Sequence, residues 1–490
     1  MNLPMIRYIL SQIMRIEGAF MLLPCIVALC YGEKEGVIYL ITAAALIAIG
    51  MIGCAFKPSN TMIYMKEGCI STALSWILLS VCGSIPFVIT GEIPSFVDAL
   101  FETVSGFTTT GASILPDVES LTHTSLFWRS FTHWLGGMGV LVFLLAVIPM
   151  SGGSNINLMR AESPGPSVGK LVPKIGATAR ILYKIYLAMT VVEIVFLLAG
   201  GMPVFDSLCL SFGTAGTGGF GIKGDSFASY SAYTQWVVAI FMLLFGINFN
   251  AYYYILMRQI KRAFTMEEVK AYLAMIASAV AVIFISIADK YEHAFTALTH
   301  AFFQVTSITS STGYASADFD LWPTIAKYVL VIMMFVGACA GSTGGGVKVS
   351  RILILLKTIR KELSSYIHPK IVRKVNMDGK PVEHDVIRAI NVYLITFVSV
   401  LMVSVFVLAI EGYDLESTFT AVLACLNNIG PGLSLVGPTC NYGFLSSLSK
   451  FILMFDMLAG RLELFPMLIL FHPNLYKGAI EAARRRKSIG

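Results

Sequence analysis

The chain has 490 residues, of which 56% are hydrophobic and only 13% are charged, and its formal net charge is +6. An ordinary soluble core cannot bury so large an apolar fraction, so the composition excludes a typical soluble domain and favours a protein whose solvent is lipid. The basic residues are distributed among several loops rather than along one stripe, so the positive charge does not predict a nucleic-acid partner.

Apolar runs predict helices that cross a bilayer, because one crossing needs about 20 apolar residues. The first run follows Arg7 and Arg15 with no small-residue cleavage site behind it, so we expect an uncleaved anchor. The run Tyr328–Cys339 is too short to cross alone, and we expect a second half to resume after the glycines that follow it. In chain order the predicted spans are Ile16–Tyr31, Gly36–Phe56, Cys69–Thr90, Leu126–Met150, Ile181–Gly200, Trp236–Leu256, Tyr272–Ile287, Tyr328–Cys339, Val392–Ile410 and Phe451–Phe471.

The loops between these runs alternate in charge. The positive-inside rule places the basic loops and both termini in the cytoplasm. The acidic loops then face outward, where their field would concentrate cations. The basic loops include Lys57 and Lys66, Arg160 to Arg180, Arg258 to Lys270, and Lys357 to Lys380, whereas the acidic loops include Glu92, Asp98, Asp225, Asp289, Asp320, Glu411 and Asp414.

Each acidic loop contains a semi-apolar stretch that is too short to span and ends in small and hydroxyl residues around a glycine. Aligned by eye, these stretches place Gly111, Gly218, Gly313 and Gly430 at equivalent positions, about 100 residues apart. The repeating unit is therefore a span, a half-helix, a glycine loop and a second span. The stretches are Asp98–Ser113, Asp206–Gly221, His300–Ser316 and Ser417–Ser434.

This pattern predicts an all-α polytopic membrane protein with four pseudo-symmetric repeats around one pore, similar in plan to a K+ channel. An extra two-helix hairpin precedes the repeats. We expect the hairpin at residues 1–60 and the repeats at 61–160, 161–265, 266–365 and 366–490, the last of which carries a basic C-terminal tail.

The four glycine loops predict an ion selectivity filter. Non-helical backbone at membrane depth is tolerated only where it is buried in protein or lines water. Rings of main-chain carbonyls replace the hydration shell of an alkali cation, and the preceding half-helices would direct their partially negative C-termini at it. The predicted cation-binding residues are Thr109, Thr110, Gly111, Gly216, Thr217, Gly218, Ser311, Thr312, Gly313, Asn428, Ile429 and Gly430.

The third repeat carries a glycine-rich segment inside its second span. Five glycines between Phe335 and Lys348 predict that this helix breaks and forms a gating loop at 337–348. Close packing of small residues against neighbouring helices is the alternative. We expect Lys348, with Arg351 behind it, at the cytoplasmic mouth. The predicted gate consists of Gly337, Ala340, Gly341, Ser342, Thr343, Gly344, Gly345, Gly346, Lys348 and Arg461.

The last span contains the ionisable residues Asp456, Arg461 and Glu463, and charge inside a span is costly enough to indicate function. We predict that Arg461 is a cationic barrier in the pore, and an ion pair with Asp456 or Glu463 is an equally good alternative.

Histidine and cysteine patterns indicate no metal site. The cysteines form no CxxC pair and no paired Cys/His spacing, so we expect no cofactor in this chain and treat the transported cation as a substrate. The histidines His123, His133, His293 and His300 have no ligand spacing either, and we expect them to make hydrogen bonds near the outer ends of helices.

Several motifs together resemble the TrkH/KtrB superfamily of K+ transporters, and the similarity extends over nearly the whole chain. The N-terminal hairpin and the chain length are more similar to the TrkH type than to the KtrB type. The motifs are TTTGA (Thr108–Ala112), GTAGTGGF (Gly213–Phe220), STGY (Ser311–Tyr314), AGSTGGGVK (Ala340–Lys348), NNIGPG (Asn427–Gly432) and GRLE (Gly460–Glu463).

The resemblance implies K+ and Rb+ uptake across a bacterial inner membrane by a homodimer in which each protomer has its own pore. It also implies a ring of cytosolic nucleotide-binding subunits of the TrkA type, bound on the cytoplasmic face. By the same resemblance the glycine-rich segment is the intramembrane gating loop, and Arg461 lies along the pore.

Two other classes of protein compete with this interpretation. A secondary transporter with inverted repeats would also contain broken helices, but the charge rule orients all four units the same way. Coupling of uptake to Na+ or H+ stays open. A membrane-embedded enzyme is disfavoured because no HExxH motif, buried Ser/His pair or paired aspartates occur in facing spans.

Overall fold

The computed structural model describes residues 1–60, 62–139, 175–368, 374–473 and 475. Within these residues the chain is an all-α polytopic membrane protein with one short β-hairpin. The helices are α1 (Leu3–Phe20), α2 (Leu22–Tyr31), α3 (Gly36–Ala55), α4 (Met65–Thr90), α5 (Phe96–Phe107), α6 (His123–Gly137), α7 (Ile175–Ala199), α8 (Val204–Gly216), α9 (Ala232–Phe245), α10 (Phe249–Leu256), α11 (Ile260–Thr265), α12 (Glu267–Ile287), α13 (Ala294–Thr309), α14 (Thr324–Val336), α15 (Val349–Ile367), α16 (His384–Ala409), α17 (Leu415–Leu426), α18 (Ser447–Arg461) and α19 (Phe465–Leu468).

Four single turns of 3-10 helix and the hairpin complete the described secondary structure. The strands β1 (Asn376–Met377) and β2 (Lys380–Pro381) pair antiparallel in the loop between α15 and α16. The 3-10 turns are Ala288–Lys290, Phe319–Leu321, Ser434–Val436 and Ile469–Phe471.

The first helix begins before the first predicted span. The predicted first span starts at Ile16, but α1 begins at Leu3, where the side chain of Asn2 accepts a hydrogen bond of 3.3 Å from the backbone N–H of Met5. Helices α1 and α3 approach closely, since a Cβ added at Gly18 would lie 2.8 Å from the carbonyl oxygen of Ala43. Small residues permit such contacts between membrane helices.

Within the described residues, six helical stretches are long and apolar enough to cross a membrane by length and composition. The predicted span Trp236–Leu256 is wrong as one straight helix, because α9 and α10 meet at an angle of 90°. The predicted span Phe451–Phe471 is also divided, since α18 ends at Arg461. The predicted span Leu126–Met150 is described only to residue 139.

Each repeat places a short pore helix between two other helices. The pore helices α5, α8, α13 and α17 are 12, 13, 16 and 12 residues long, too short to cross a bilayer. Most of their side chains are buried, whereas α7, α12 and α16 leave most of theirs facing outward. The core of the protein therefore surrounds the pore helices.

A buried ion pair fixes the first two pore loops against each other. Arg129 on α6 donates from Nε to Glu102 on α5 at 2.6 Å, and the side chains are 2% and 0% exposed. The guanidinium also donates to the carbonyl oxygen of Gly221 at 2.8 Å and lies 3.5 Å from the ring centroid of Phe220. Glu102 accepts a second set of hydrogen bonds from Ser113 and Ile114.

Replacing Glu102 by Gln should lower the free energy of unfolding by about 3–5 kcal/mol, because the charge of Arg129 would stay buried without its counter-ion. Chemical unfolding in detergent micelles measures this change. The double variant Glu102→Gln/Arg129→Met should lose less stability than the two single variants added together. Additive losses would contradict a coupled pair.

Candidate functional site

The four pore helices end in loops with the same backbone conformation. In each loop a non-glycine residue lies two positions before a glycine and has a φ angle in the left-handed region. These residues are Thr109 (55°), Thr217 (55°), Ser311 (62°) and Asn428 (55°). The glycines that follow have φ angles of 81°, 80°, 82° and 94°. A left-handed conformation costs a non-glycine residue about 1–3 kcal/mol, and fourfold repetition indicates a function for it. The four glycines are Gly111, Gly219, Gly313 and Gly430.

The expected equivalence of Gly218 with the other three glycines is wrong by one residue. Gly219, not Gly218, has the positive φ angle, and Thr217 rather than Gly216 occupies the left-handed position before it. Gly216 is the last residue of α8. Gly216, Gly218 and Gly219 lie close together in this repeat, so an alignment by eye can match either Gly218 or Gly219 to the other repeats. Only the backbone angles distinguish the two alignments.

The loops contact one another in a closed ring. A Cβ added at Gly111 would lie 2.1 Å from the carbonyl oxygen of Gly218, and one at Gly219 would lie 1.9 Å from that of Thr312. The third and fourth loops continue the pattern. Gly313 faces the carbonyl oxygen of Ile429 at 1.9 Å, and Gly430 faces that of Thr110 at 2.6 Å, again measured from an added Cβ.

The ring therefore joins loops one to two, two to three, three to four and four to one. No side chain fits at these positions, because real Cβ atoms do not approach an oxygen within 3.0 Å. Glycine is required both for its φ angle and for this close approach. The four carbonyl groups that touch the glycines belong to Thr110, Gly218, Thr312 and Ile429.

Side chains behind the ring tie neighbouring loops together. The ring of His133 lies with Nδ1 2.7 Å from the carbonyl oxygen of Gly106, and its Nε2 accepts a hydrogen bond of 3.2 Å from the N–H of Phe220. One partner accepts and the other donates, so both bonds form only with the neutral tautomer that is protonated on Nδ1. His133 makes hydrogen bonds as expected, but it lies toward the C-terminal end of α6 and its side chain is completely buried.

Two further side chains connect the loops. The hydroxyl of Tyr314 donates to the carbonyl oxygen of Leu210 at 3.1 Å and lies 3.3 Å from that of Phe220. The amide of Asn428 donates to the hydroxyl of Thr110 at 3.0 Å and to the carbonyl oxygen of Met457 at 2.9 Å. This bond joins the first and fourth pore loops, although Thr110 and Asn428 are 318 residues apart in the sequence.

The glycine-rich segment breaks its helix, as the sequence predicts. Helix α14 ends at Val336 and α15 begins at Val349, so residues 337–348 form a loop. The N–H of Gly345 donates to the hydroxyl of Ser311 at 2.6 Å. A Cβ added at Gly344 would lie 2.6 Å from the carbonyl oxygen of Ser310. The loop therefore packs directly against the third pore loop.

The loop and the last span, together with residues of the first two repeats, line a cavity of about 90 Å³. Arg461 reaches into the region from α18 and donates to the carbonyl oxygens of Thr343 at 2.9 Å, Gly136 at 2.5 Å and Gly137 at 2.7 Å. It therefore links the glycine-rich loop to the first repeat. Among the residues that line the cavity are Trp76, Phe249, Gly344, Lys348, Asn428 and Arg461.

The neighbouring charges are placed differently from the expectation. Glu463 forms its ion pair with Arg351 at 2.5 Å, and the guanidinium of Arg351 lies 4.0 Å from the ring centroid of Tyr393. Lys348 is only 3% exposed and donates to the carbonyl oxygen of Gly344, so it packs inside the loop rather than at an open mouth. Asp456 is buried and accepts a hydrogen bond of 2.8 Å from Ser404.

Negative charge is held at the start of the fourth pore helix. The side chain of Asp414 caps α17 by accepting hydrogen bonds from the hydroxyl of Ser417 at 2.6 Å and from its N–H at 2.9 Å. These bonds hold the pKa of Asp414 below its ordinary value, so this carboxylate stays charged. Among the described residues, no group of three His, Cys, Asp or Glu side chains is arranged to hold a metal ion.

Comparison with known proteins identifies the family of this chain. The sequence model of TrkH, described as a cation transport protein, matches residues 36–481. This chain belongs to the TrkH family. The Trk system potassium uptake protein TrkH of Salmonella typhimurium is 35% identical over 465 residues, which are 93% of this chain and 96% of that protein.

Other members of the TrkH family show the same extent of similarity. The Trk system potassium uptake protein TrkG of Escherichia coli K12 is 34% identical and covers 92% of this chain and 94% of its own. A crystal structure of the potassium transporter TrkH from Vibrio parahaemolyticus matches with a TM-score of 0.87 and 30% identity, over 97% of this chain and 100% of that one. The family and the apolar helices establish a multi-pass membrane protein.

Replacing Gly219 by Ala should reduce K+ uptake at least about tenfold, because the added methyl group would collide with the main chain of the third loop at a positive φ angle. Gly224→Ala is the matched control, since the nearest atom to its added Cβ lies 4.0 Å away. Rb+ uptake into cells measures both variants at equal amounts of membrane-inserted protein. Normal uptake by the Gly219 variant would contradict the assignment of the ring.

Proposed function

We propose that this chain mediates K+ uptake across the bacterial inner membrane, through a filter formed by the four glycine loops. The closed ring of glycine and carbonyl contacts supports this proposal most strongly, because it brings four separate loops around one axis. Relatives named as potassium uptake proteins support the choice of ion. The proposed filter consists of residues 109–111, 217–219, 311–313 and 428–430, with Gly219 replacing Gly216 in the predicted set.

The chemistry follows from main-chain carbonyl groups. K+ gives up part of its hydration shell when enough oxygens take the place of water, and four loops of equal conformation can supply them in rings. The pore helices end at these loops, so their C-terminal dipoles favour a cation there. In each loop one non-glycine residue has a strained left-handed conformation, which persists only when surrounding contacts hold the loop in shape. These residues are Thr109, Thr217, Ser311 and Asn428.

The gating loop at 337–348 closes the pore in this proposal, and Arg461 adds a positive charge below the filter. The loop touches the third pore loop through Gly345, and Arg461 contacts it through the carbonyl oxygen of Thr343. A K+ ion that leaves the filter would meet both. Withdrawal of the loop would open the cavity toward the cytoplasm.

Assembly and orientation belong to the same proposal. The basic loops support an orientation with both termini in the cytoplasm. We expect a homodimer in the lipid bilayer, each protomer with its own pore, and a cytosolic nucleotide-binding ring of the TrkA type as the regulatory partner. The loop that carries β1 and β2 is part of one such basic segment.

The decisive experiment measures ion flux into proteoliposomes that contain the purified protein. K+ and Rb+ flux well above Na+ flux would support a carbonyl filter, and equal or larger Na+ flux would contradict it. Imposed Na+ and pH gradients test whether uptake is coupled to either ion. The same measurement is made on an Arg461→Gln variant. Flux in this variant but not in the unaltered protein would indicate a closed gate, whereas no flux in either protein would indicate an absence of transport.

Substitution of Arg461 tests its electrostatic role. Arg461→Gln should raise the rate of K+ flux about tenfold or more, because a full positive charge close to the ion path opposes a cation. Arg461→Lys is the control, since it keeps the charge but not the planar set of donors. If both variants raise the flux equally, Arg461 acts by holding the loop and not by its charge.

A further inference from the structure

Glu268 is a buried carboxylate beside the gating loop, and the sequence patterns did not single it out. It lies in the first turn of α12 and is 4% exposed. Its Oε1 accepts hydrogen bonds from the N–H of Ala340 at 2.6 Å and from the N–H of Ser350 at 3.1 Å. Its Oε2 accepts one from the side-chain amide of Asn248 at 3.2 Å.

One oxygen of Glu268 therefore joins the two flanks of the loop. Ala340 lies near the start of the glycine-rich segment, and Ser350 lies in the first turn of α15 after it. The N–H groups of a first helical turn have no partner within the helix, so Ser350 needs an acceptor from elsewhere. Buried N–H groups that lose such a partner are costly, and hydrogen bonds to a charged acceptor are the stronger kind.

The bend in the second repeat holds the loop from the other side. The N–H of Phe249 donates to the carbonyl oxygen of Gly341 at 2.9 Å, and the N–H of Cys339 donates to that of Gly246 at 3.1 Å. Asn248, which donates to Glu268, lies at the same bend. Two different repeats thus meet at one carboxylate.

We infer that Glu268 is a positioning residue that holds the gating loop in its closed arrangement. This inference rests on the proposed gating function of the loop. A carboxylate is suited to this task because it satisfies two loop donors at once, and the loop is released when these bonds break. The loop needs such a partner, since its glycines give it little side-chain packing of its own.

Glu267 provides a matched control. It precedes Glu268 on the same helix but contacts the β-hairpin loop instead. Its N–H donates to Asp378 at 2.7 Å, its Oε1 accepts from the N–H of Asp378 at 3.2 Å, and its Oε2 pairs with Lys357. A substitution at Glu267 therefore alters the same helix end without removing a bond to the gating loop.

Cys339 is a native reporter for the test. It lies next to Ala340 and is completely buried, and Cys425 on α17 is equally buried but belongs to the fourth pore helix. Membranes holding the full-length protein are treated with a thiol-reactive methanethiosulfonate, and peptide mass spectrometry reports the labelling rate of each cysteine. This readout requires no ion flux.

We expect Cys339 to label about tenfold faster in Glu268→Ala than in the unaltered protein, with an intermediate rate in Glu268→Gln, which keeps one acceptor oxygen. Cys425 should stay unlabelled in both variants, and Glu267→Ala should label like the unaltered protein. K+ flux in proteoliposomes should rise in the same order, with the preference for K+ over Na+ unchanged.

Three results would overturn the inference. The first is an unchanged labelling rate of Cys339 in both Glu268 variants. The second is a labelling rate of Cys425 that rises as much as that of Cys339 in both Glu268 variants. The third is a labelling rate of Cys339 that rises as much in Glu267→Ala as in the Glu268 variants. The second would show that Glu268 supports the whole fold. If the expected labelling pattern appears but no variant carries K+, the inference about the loop stands and the proposed transport function fails.

Discussion

The architecture depends on one constraint, which is that non-helical backbone inside a membrane must find its partners within the protein. Four pore helices stop at membrane depth, and the loops after them are stabilised by one another. In each loop the glycine packs against a carbonyl group of the following loop, and the glycine of the fourth loop packs against the first. The four contacts therefore form a closed ring. Side chains behind the ring, such as His133 and Tyr314, satisfy further backbone groups.

The same constraint explains the gating loop. Residues 337–348 give up helical hydrogen bonds and recover others from Ser311, Glu268, Arg461 and the bend before α10. These partners lie in the second, third and fourth repeats. A segment with so many partners can move only if several bonds break together, so the proposed gate would switch between two distinct arrangements rather than move through a continuous range.

Sequence patterns predicted the repeats, the pore helices and the broken third inner helix, because apolar length, charge alternation and glycine clusters are local signals. The predicted alignment of the second loop was wrong by one residue at Gly219, because three close glycines made the register ambiguous. The predicted straight span was wrong at the 90° bend between α9 and α10, because the apolar run continues through the bend. Glu268 was missed, and so was the buried position of His133 behind the ring, since both depend on contacts with distant segments. Only Gly246 and Asn248, close together in an apolar run, could have indicated the bend.

The central claim is that the ring of carbonyl groups from Thr110, Gly218, Thr312 and Ile429 binds the transported ion. Anomalous diffraction from crystals grown with Rb+ tests it most directly, because it locates the ion without assuming a transport rate. The account predicts Rb+ peaks on the axis of this ring that disappear when K+ replaces Rb+ and persist in Na+ at equal concentration. Rb+ peaks only outside the ring, or equal displacement by Na+, would contradict it.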